Sequence, residues 1–187
     1  QKIGSPIHTN GELDLMIEGA GYFMVDIPQN MGDGVGYTRA GNIALNRDGE
    51  LVMGNAGGPR ILPGIPIPAN AQSIEIAHDG TVNVFLPDQV DPQNVGQLML
   101  ANFINPNGLK PLGGTIYIET AASGPAIESV PGENNTGQIL QGFIESSNVD
   151  PVVELVNLIK TQRSFEMNSQ SIQAADQTLQ VISNLRR

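Results

Sequence analysis

The stretch VVELVNLIKTQRSFEMNSQSIQAADQTLQVISNLRR, Val152 to Arg187, contains neither glycine nor proline. The whole chain has 22 glycines and 13 prolines, and all of them lie at or before Pro151. Because glycine and proline are the residues that most weaken a helix, this stretch predicts one uninterrupted helix of about 55 Å at 1.5 Å per residue. No other part of the chain has a helical pattern. The apolar side chains of such a helix need a partner from another subunit or from a missing segment, so the pattern predicts assembly.

The start of the predicted helix is well marked in the sequence. Asn148 or Asp150 can cap its first amide groups, and Pro151 suits its first turn. Glu154 lies near the positive end of the helix dipole. We therefore expect the helix to begin close to residue 148.

Two apolar patterns follow along the helix. The first is a broad face over two turns, as expected where a helix docks on a domain, and it contains Val152, Leu155, Val156, Leu158 and Ile159. The second is a coiled-coil-like seam, here called the heptad seam, in which large residues recur every seven positions and smaller or polar residues stand mostly at the positions three residues later. Its members are Leu158, Phe165, Ile172 and Leu179, followed by Thr161, Asn168, Ala175 and Ile182.

These patterns predict an assembly interface on the helix. We expect it to contain Leu155, Leu158, Ile159, Phe165, Asn168, Ile172, Ala175, Leu179 and Ile182. The alternative is a helix that lies back on its own β domain, which its length disfavours because the mean helix has roughly 11 to 12 residues. Without its partners, we expect the helix to fray or to fold into another contact.

Before the helix, short apolar and β-branched clusters recur between Gly, Pro, Asn and Asp, which is typical of an all-β domain. The candidate strands are Leu13–Ile17, Gly21–Val25, Tyr37–Arg39, Leu51–Met53, Ile74–Ile76, Val82–Leu86, Gln97–Ile104, Ile116–Glu119 and Gln138–Phe143. The fold class is therefore a mainly antiparallel β body followed by one long C-terminal α-helix. We place the β domain at residues 1–147 and the coiled-coil-like helix at 148–187.

Turn signals connect these strands. Asp48-Gly49 and Asp79-Gly80 predict hairpins, and Asn107-Gly108 predicts a turn, because each places glycine after a residue that tolerates left-handed backbone. The four prolines in Pro59 to Asn70 cannot supply ladder donors, so this segment predicts an extended edge or crossover. Val130 to Gly137 is polar and is expected to lead into the last strand.

Charge separates the two segments and excludes one class of partner. Residues 1–150 contain 16 Asp/Glu and 5 Lys/Arg, whereas residues 151–187 contain 3 and 4. An acidic body without a basic stripe disfavours nucleic-acid binding. The chain has no cysteine, which excludes disulfides, thiolate catalysis and Cys-ligated metals. No apolar run approaches the roughly 20 residues of a membrane span, so no membrane insertion is expected.

No catalytic, cofactor-binding or metal site is predicted. Asp48, Glu50 and Asp79 are the best-placed acidic residues for a carboxylate pair or a calcium site, but the other oxygen ligands are missing, and turn chemistry alone explains them. His8 and His78 have no ligand spacing and are expected at the surface. On the helix, Arg163 and Glu166 could pair with each other or bridge to neighbours, and a solvated face is an equally open alternative.

Three stretches match a known family. They are LDLMIEGAGYFMV (Leu13–Val25) with YTRAGNIALNRDGELV (Tyr37–Val52), then VGQLMLANFINPNGL (Val95–Leu109) with the IYIET and ASG motifs, and IESSNVDPVVELVNLIKTQRSFEMNSQSIQAADQTLQ (Ile144–Gln180). On these residues the chain resembles the flagellar rod and hook axial family over nearly its whole length. The last stretch is the most specific, because its Ser-Asn-Val, Glu-Leu-Val and Gln-Arg-Ser-Phe-Glu elements fall at the family's spacing.

The resemblance implies a non-enzymatic structural subunit with a D1-like outer domain. N- and C-terminal helices would line the core of a helical tube that carries torque from motor to hook and encloses the export channel. The implied partners are copies of itself, other rod subunits, the hook protein and the bushing formed by the P and L rings. The implied location is the flagellar basal body, reached by type III export without a cleaved signal peptide.

The chain also departs from the family in places. It begins at Gln1, and we expect the family's N-terminal helix to precede it. Thr115 stands where related rods commonly have Asn. The large outer domain of hook proteins is missing, which favours the distal rod over a hook-type subunit. A proximal rod subunit is the runner-up, and a surface β adhesin with an oligomerisation helix is a more distant alternative.

Overall fold

The structure is a computed structural model that describes residues 4–54, 58–87, 89, 91–146 and 151–185; in the helix it describes the side chains of 152–173 and 175. The chain divides into two compact units, Gln1–Ser146 and Ser147–Arg187. The first is a β domain and the second contains the helix. The roles predicted for them, an outer domain and a core helix, stay predictions.

The β domain consists of short antiparallel strands. In the part of the chain described, they are β1 (Pro6–His8), β2 (Leu15–Glu18), β3 (Tyr22–Asp26), β4 (Val35–Thr38), β5 (Ile43–Leu45), β6 (Leu51–Met53), β7 (Ile61–Leu62), β8 (Ser73–Ile76), β9 (Thr81–Phe85), β10 (Gln93–Gln97), β11 (Leu100–Asn102), β12 (Lys110–Gly113), β13 (Ile116–Ile118), β14 (Ile127–Ser129), β15 (Gln138–Gln141) and β16 (Phe143–Glu145). A single 3₁₀ turn, Pro106–Gly108, lies between β11 and β12.

The largest sheet has seven strands in the order β12-β13-β4-β3-β11-β14, with β7 also paired to β3. Its central strand β3 is buried on both faces: Phe23 and Val25 belong to one apolar cluster, and Tyr22 and Met24 to another. This alternation follows from the two-residue period of a strand. The first cluster also receives side chains from β2, β5, β6, β8, β9 and β15, and it forms the main core.

Smaller ladders complete the domain. β8, β9 and β10 form a three-stranded sheet, while β5 pairs with β6, β2 with β15, and β1 with β16. The β1–β16 pair joins the first described strand to the last one before the helix, with Pro6 opposite Glu145 and His8 opposite Phe143. Both ends of the β domain therefore meet in one two-stranded ribbon.

The second face of the large sheet is covered by two connections. Since β13, β4 and β3 separate β11 from β12 in the sheet, the chain must cross a face to join them. Residues 103–109 and 119–126 do so side by side. The Thr120 hydroxyl donates to the Gly108 carbonyl (2.6 Å), and the Asn105 side-chain amide donates to the Ala122 carbonyl (2.9 Å). Their inner side packs on the second apolar cluster through Phe103, Leu109 and Ala126.

The predicted fold class is confirmed, and so are the two hairpins. Asp48-Gly49 connects β5 to β6, and Asp79-Gly80 connects β8 to β9. The turn at Asn107-Gly108 is confirmed as the 3₁₀ turn. The proline-rich segment is extended, because β7 within it pairs with β3. The polar segment 130–137 leads into β15, as expected.

Two predicted strands are wrong in extent. Gln97–Ile104 includes only the last residue of β10, which pairs with β9, and then β11, which begins at Leu100 on β3, with Leu98 buried between them. Residues 93–96 of β10 were not predicted as a strand. Gln138–Phe143 is divided. Gly142, at φ +80°, separates β15, which pairs with β2, from β16, which pairs with β1. A continuous apolar run does not show that the chain changes its pairing partner.

The sequence also missed β1, β5, β12 and β14. These strands have three or four residues each, and most of their side chains are exposed or half-buried. Short strands of this kind lack the alternating burial that makes a strand visible in a sequence. Backbone pairing with a longer neighbour holds each of them in place.

The second unit contains one helix, α1 (Pro151–Leu185), of 35 residues. The prediction of an uninterrupted helix is confirmed, and Glu154 lies in its first turn. The proposed caps, Asn148 and Asp150, lie outside the described residues. The expectation that the helix would fray without partners is wrong over 151–185, where it runs without a break. Within the residues described, no helix has the length and hydropathy required to cross a membrane.

Candidate assembly interface

The helix α1 presents its apolar residues as exposed side chains. Leu158 is 60% exposed, Phe165 is 75% exposed and Ile172 is 64% exposed. The other predicted interface residues whose side chains are described are exposed as well; they are Leu155, Ile159, Asn168 and Ala175. The side chains of Leu179 and Ile182 lie outside those described. Large apolar side chains in a contiguous exposed row mark an interaction surface.

Helix geometry places some of these residues along one line on the helix surface and the others on either side of that line. At 100° per residue, seven residues fall about 20° short of two full turns, so Leu158, Phe165 and Ile172 form a slowly drifting line. On that geometry Leu155 and Ile159 lie on one side of the line, and Asn168 and Ala175 lie on the other. The nine predicted residues are therefore spread over about 220°, or about three-fifths, of the helix circumference. A surface of this width can pack against more than one neighbouring helix.

The polar positions within the stripe allow close packing. The Thr161 hydroxyl donates to the Asn157 carbonyl of its own helix (2.9 Å), and the Ser164 hydroxyl donates to the Lys160 carbonyl (3.0 Å). Each hydroxyl thus has a partner without any neighbouring molecule. Small side chains that are already hydrogen-bonded let a second helix approach closely.

The chain just before the helix is anchored firmly in the β domain. Arg39 donates to the carbonyls of Ile17, Gly19 and Gly21 at 3.0 to 3.1 Å, and its Nε donates to the Glu145 carboxylate at 2.8 Å. The same carboxylate accepts the Gly4 amide at 2.9 Å. Arg39 therefore fixes strands β1 and β16 to the rest of the domain, at the point where the chain leaves for the helix.

Sequence reasoning missed this anchor. Arg39 and Glu145 are far apart in the sequence, and neither belongs to a charge pattern. The only signal in the sequence is that Arg39 is one of five cations in an acidic segment. Such a residue requires a specific partner when it is mostly buried, but the sequence does not say which one.

The acidic residues considered for chemistry have structural partners instead. The Arg60 guanidinium donates to Glu50 at 2.9 Å, and this hydrogen bond together with one from Asn46 lowers the pKa of the Glu50 carboxyl. The Thr81 amide bonds Asp79 at 3.0 Å and lowers the pKa of that carboxyl. Among the described residues, no three His, Asp or Glu side chains are grouped so as to hold a metal ion.

The remaining singled-out residues have simple surroundings. His8 and His78 are both exposed, as expected. His8 packs edge-on against Phe143, and His78 Nδ1 lies 3.0 Å from the Ile139 carbonyl. In the described part of the helix, Arg163 and Glu166 are exposed and no ion pair joins them within the chain.

Comparison with known proteins decides the family. Residues 16–84 match the model of the flagellar hook protein FlgE/F/G D1 domain, and residues 140–185 match that of the flagellar basal body rod FlgEFG protein C-terminal region. The chain is 46% identical over 186 residues to the flagellar basal-body rod protein FlgG of Buchnera aphidicola subsp. Acyrthosiphon pisum, covering 96% of this chain and 70% of that protein. It is also 46% identical over 183 residues to FlgG of Caulobacter vibrioides, covering 98% and 68%.

The chain belongs to the FlgG family of flagellar basal-body rod proteins. It is also 40% identical over 119 residues to the flagellar hook protein FlgE of Salmonella typhimurium, but there it covers only 64% of this chain and 29% of the hook protein. The FlgG relatives match over far more of their length, which disfavours the hook-type alternative. The adhesin alternative is likewise not favoured.

FlgG-family membership accounts for both units. The D1 match begins in β2 and ends in β9, so it covers much of the main core. The C-terminal match begins in β15 and ends with α1. It includes the whole predicted assembly interface. The β domain is thus a D1-type axial domain, and the exposed helix belongs to the C-terminal region that rod and hook proteins share.

Proposed function

We propose that this chain is a structural subunit of the flagellar distal rod, which polymerises into a helical tube through its C-terminal helix. The observation that carries the proposal is the continuous helix α1, whose described apolar residues are all exposed. A helix of this kind gains most of its stability by packing its apolar face. Neighbouring subunits supply that packing in the assembled rod.

The heptad seam supplies the contacts between helices in this proposal. Leu158, Phe165 and Ile172 act as knobs that insert between residues of a facing helix. Asn168 and Ala175 allow close approach on one margin, and Leu155 and Ile159 dock on a second neighbour. Leu179 and Ile182 extend the same pattern toward the end of the helix. No catalytic step is assigned to this subunit.

The wider partners follow from the family. Copies of this chain contact one another, and the ends of the polymer contact other rod subunits and the hook. We further propose that the rod passes through the bushing of the P and L rings.

Export proceeds by the type III pathway without cleavage of a signal peptide. Mass spectrometry of the subunit from purified basal bodies tests this last point, since a processed N terminus would contradict it.

Charged substitutions on the seam test the proposal. Phe165→Asp and Ile172→Asp in the full-length protein should leave the β domain folded but abolish rod assembly and motility, because a carboxylate cannot be buried between helices without a partner. Gln170→Asp is the matched control. It adds the same charge about 140° around the helix from Phe165, at 100° per residue, and rods should form. Normal rods from the Phe165 and Ile172 variants would refute the proposal.

The position of this subunit within the rod requires direct imaging. Cryo-electron microscopy of intact basal bodies should find this subunit in the thick distal part of the rod, below the hook. Density for it confined to the proximal rod would establish the runner-up assignment instead.

A further inference from the structure

The β1–β16 ribbon lies outside the packed core of the β domain. None of the residues in these two strands belongs to either apolar cluster. The side chains of β1 are exposed and those of β16 are half-buried. In the part of the chain described, β1 and β16 pair only with each other and join no larger sheet. The ribbon therefore gains little attachment to the domain from apolar burial or from strand pairing.

Polar contacts attach the ribbon to the domain at its two ends. At the end far from the helix, the Gly142 amide donates to the Asp14 carbonyl (2.8 Å). At the end near the helix, the Arg39 Nε donates to the Glu145 carboxylate (2.8 Å). The two side chains of this ion pair are mostly buried, so salt screens their attraction less than it screens an exposed pair.

Arg39 connects the near end of the ribbon to the interior of the domain. Its guanidinium donates to the carbonyl of Ile17, which lies in β2. It also donates to the carbonyls of Gly19 and Gly21, which lie between β2 and β3. A guanidinium is a planar and rigid donor, so bonds on several sides fix its position. One side chain thus ties Glu145 to the segment that joins two core strands.

The chain reaches the helix through the same end of the ribbon. Glu145 is the last residue of β16, Ser146 ends the first unit, and α1 begins at Pro151. A force along the chain between the helix and the β domain therefore loads Glu145 before it loads Gly142. Contacts loaded in sequence break one at a time, starting from the loaded end. The Arg39–Glu145 bond thus determines the force at which the ribbon begins to peel from the domain.

We propose that the Arg39–Glu145 ion pair is a mechanical anchor, which transmits force between helix α1 and the β domain by holding the ribbon on the domain. Its role in the cell rests on the proposed function, because torque in the proposed rod passes between these two parts of each subunit. Arg39 is a positioning residue here and is no part of the assembly interface. The anchor itself is a property of one chain and can be measured without a rod.

Single-molecule pulling on the full-length protein tests the anchor. Because this sequence contains no cysteine, Glu75→Cys in β8 and Val153→Cys in the helix, both at exposed positions, supply the attachment points. At constant force, the first event should be release of the segment after Gln141, followed by unfolding of the domain. Arg39→Met should shorten the lifetime before that first event by roughly tenfold, the effect of losing one hydrogen bond to a charged group.

A second pulling direction is the control. Attachment at the exposed positions Glu75 and Met31 loads the β domain but not the ribbon, and there Arg39→Met should change the lifetime much less. Glu145→Gln leaves Arg39 its three carbonyl partners and should weaken the first event in the same direction. It replaces Arg39→Met if that variant does not fold. Equal effects in both pulling directions, or no effect in the first, would overturn the anchor.

Motility under load separates the anchor from the proposed function. Cells with Arg39→Met should form rods in near-normal number but shed hooks and filaments severalfold more often in viscous medium. Arg60→Met, at an arginine whose ion pairs with Glu50 and Asp26 are more exposed, is the matched control and should not shed them. If Arg39→Met forms no rods, Glu145→Gln replaces it. Shedding at the wild-type level would overturn the role under load, whereas normal rods from the seam variants would refute the rod assignment and leave the pulling result unchanged.

Discussion

The same type of side chain is buried in one unit of this chain and exposed in the other. Phe23 in the β domain is 1% exposed, whereas Phe165 on the helix is 75% exposed. The β domain therefore buries its apolar surface within itself and derives its stability from its own sequence. The helix exposes the apolar side chains described for it, and in the proposed rod these side chains pack on other subunits.

The largest expected effect on the stability of the β domain comes from replacing each of these phenylalanines separately by alanine. Phe23→Ala should lower the free energy of unfolding of the β domain by about 3 to 5 kcal/mol, because it leaves a cavity in the core. Phe165→Ala should change it by less than about 0.5 kcal/mol, since the side chain is exposed. Urea unfolding followed by tyrosine fluorescence reports on the β domain alone, because all three tyrosines lie before residue 118. A loss of similar size in both variants would contradict the division into two kinds of unit.

Alkaline pH should also separate the two units. Burial, with the nearby carboxylates of Glu119, Glu128 and Asp33, raises the pKa of Tyr37 from 10.0 to about 12. Below pH 10 the tyrosine is neutral in both states. Between pH 10 and 12 the unfolded chain loses the proton and the folded one keeps it, so stability falls by about 2 to 3 kcal/mol. Tyr37→Phe should flatten this pH dependence.

The helix contains no tyrosine and provides the contrast for this experiment. Burial raises the pKa of Tyr22 in the same direction, so some alkaline sensitivity should remain in the Tyr37→Phe variant. Circular dichroism of a peptide spanning residues 151–187 should show no transition attributable to tyrosine over this range. A wild-type β domain whose stability is constant from pH 10 to 12 would contradict the assignment.

A smaller difference is expected between two arginines. Arg39 bonds Glu145 and three backbone carbonyls, and the two side chains of that ion pair are only 17% and 16% exposed. Arg60 bonds Glu50 and Asp26 but is 41% exposed. Arg39→Met should destabilise the β domain by about 2 kcal/mol, because it leaves buried acceptors without a donor. Arg60→Met should destabilise the β domain less than Arg39→Met, because the Arg60 ion pairs are exposed to solvent.

Hydrogen exchange locates the effect of Arg39. In Arg39→Met, the amides of β1 and β16 should lose protection more than those of β8 and β9, because Arg39 fixes the ribbon that β1 and β16 form. Arg39→Lys is the control for charge, since lysine keeps the positive charge but cannot donate the same fork of hydrogen bonds. Equal loss of protection throughout the domain would show that Arg39 does not act on the ribbon specifically.

The sequence alone predicted the helix and the turns that are determined by residues close together in the chain. The helix follows from the absence of glycine and proline, and the two hairpins follow from Asp-Gly pairs, since these signals act within a few residues. The sequence did not predict where the chain changes partners, as between Gln97 and Leu100, because an apolar run looks the same in one sheet or two. It also missed the Arg39–Glu145 anchor, which joins two residues that only the fold makes neighbours. The heptad seam was predicted from the same local pattern as the helix, whereas the partners proposed for it are in other subunits.

The smallest expected effect concerns one strained residue of the β domain. Thr115 has a φ of +68° in the turn between β12 and β13. That conformation is unfavourable for a β-branched side chain but is tolerated by asparagine. Thr115→Asn should therefore stabilise the β domain by about 1 kcal/mol and leave the helical circular dichroism of the chain unchanged. Thr115→Val keeps the β-branch and should give no gain. If asparagine and valine behave alike, backbone strain is not the reason, and the weak 3.5 Å contact between the Thr115 and Thr38 hydroxyls becomes the better explanation for any change.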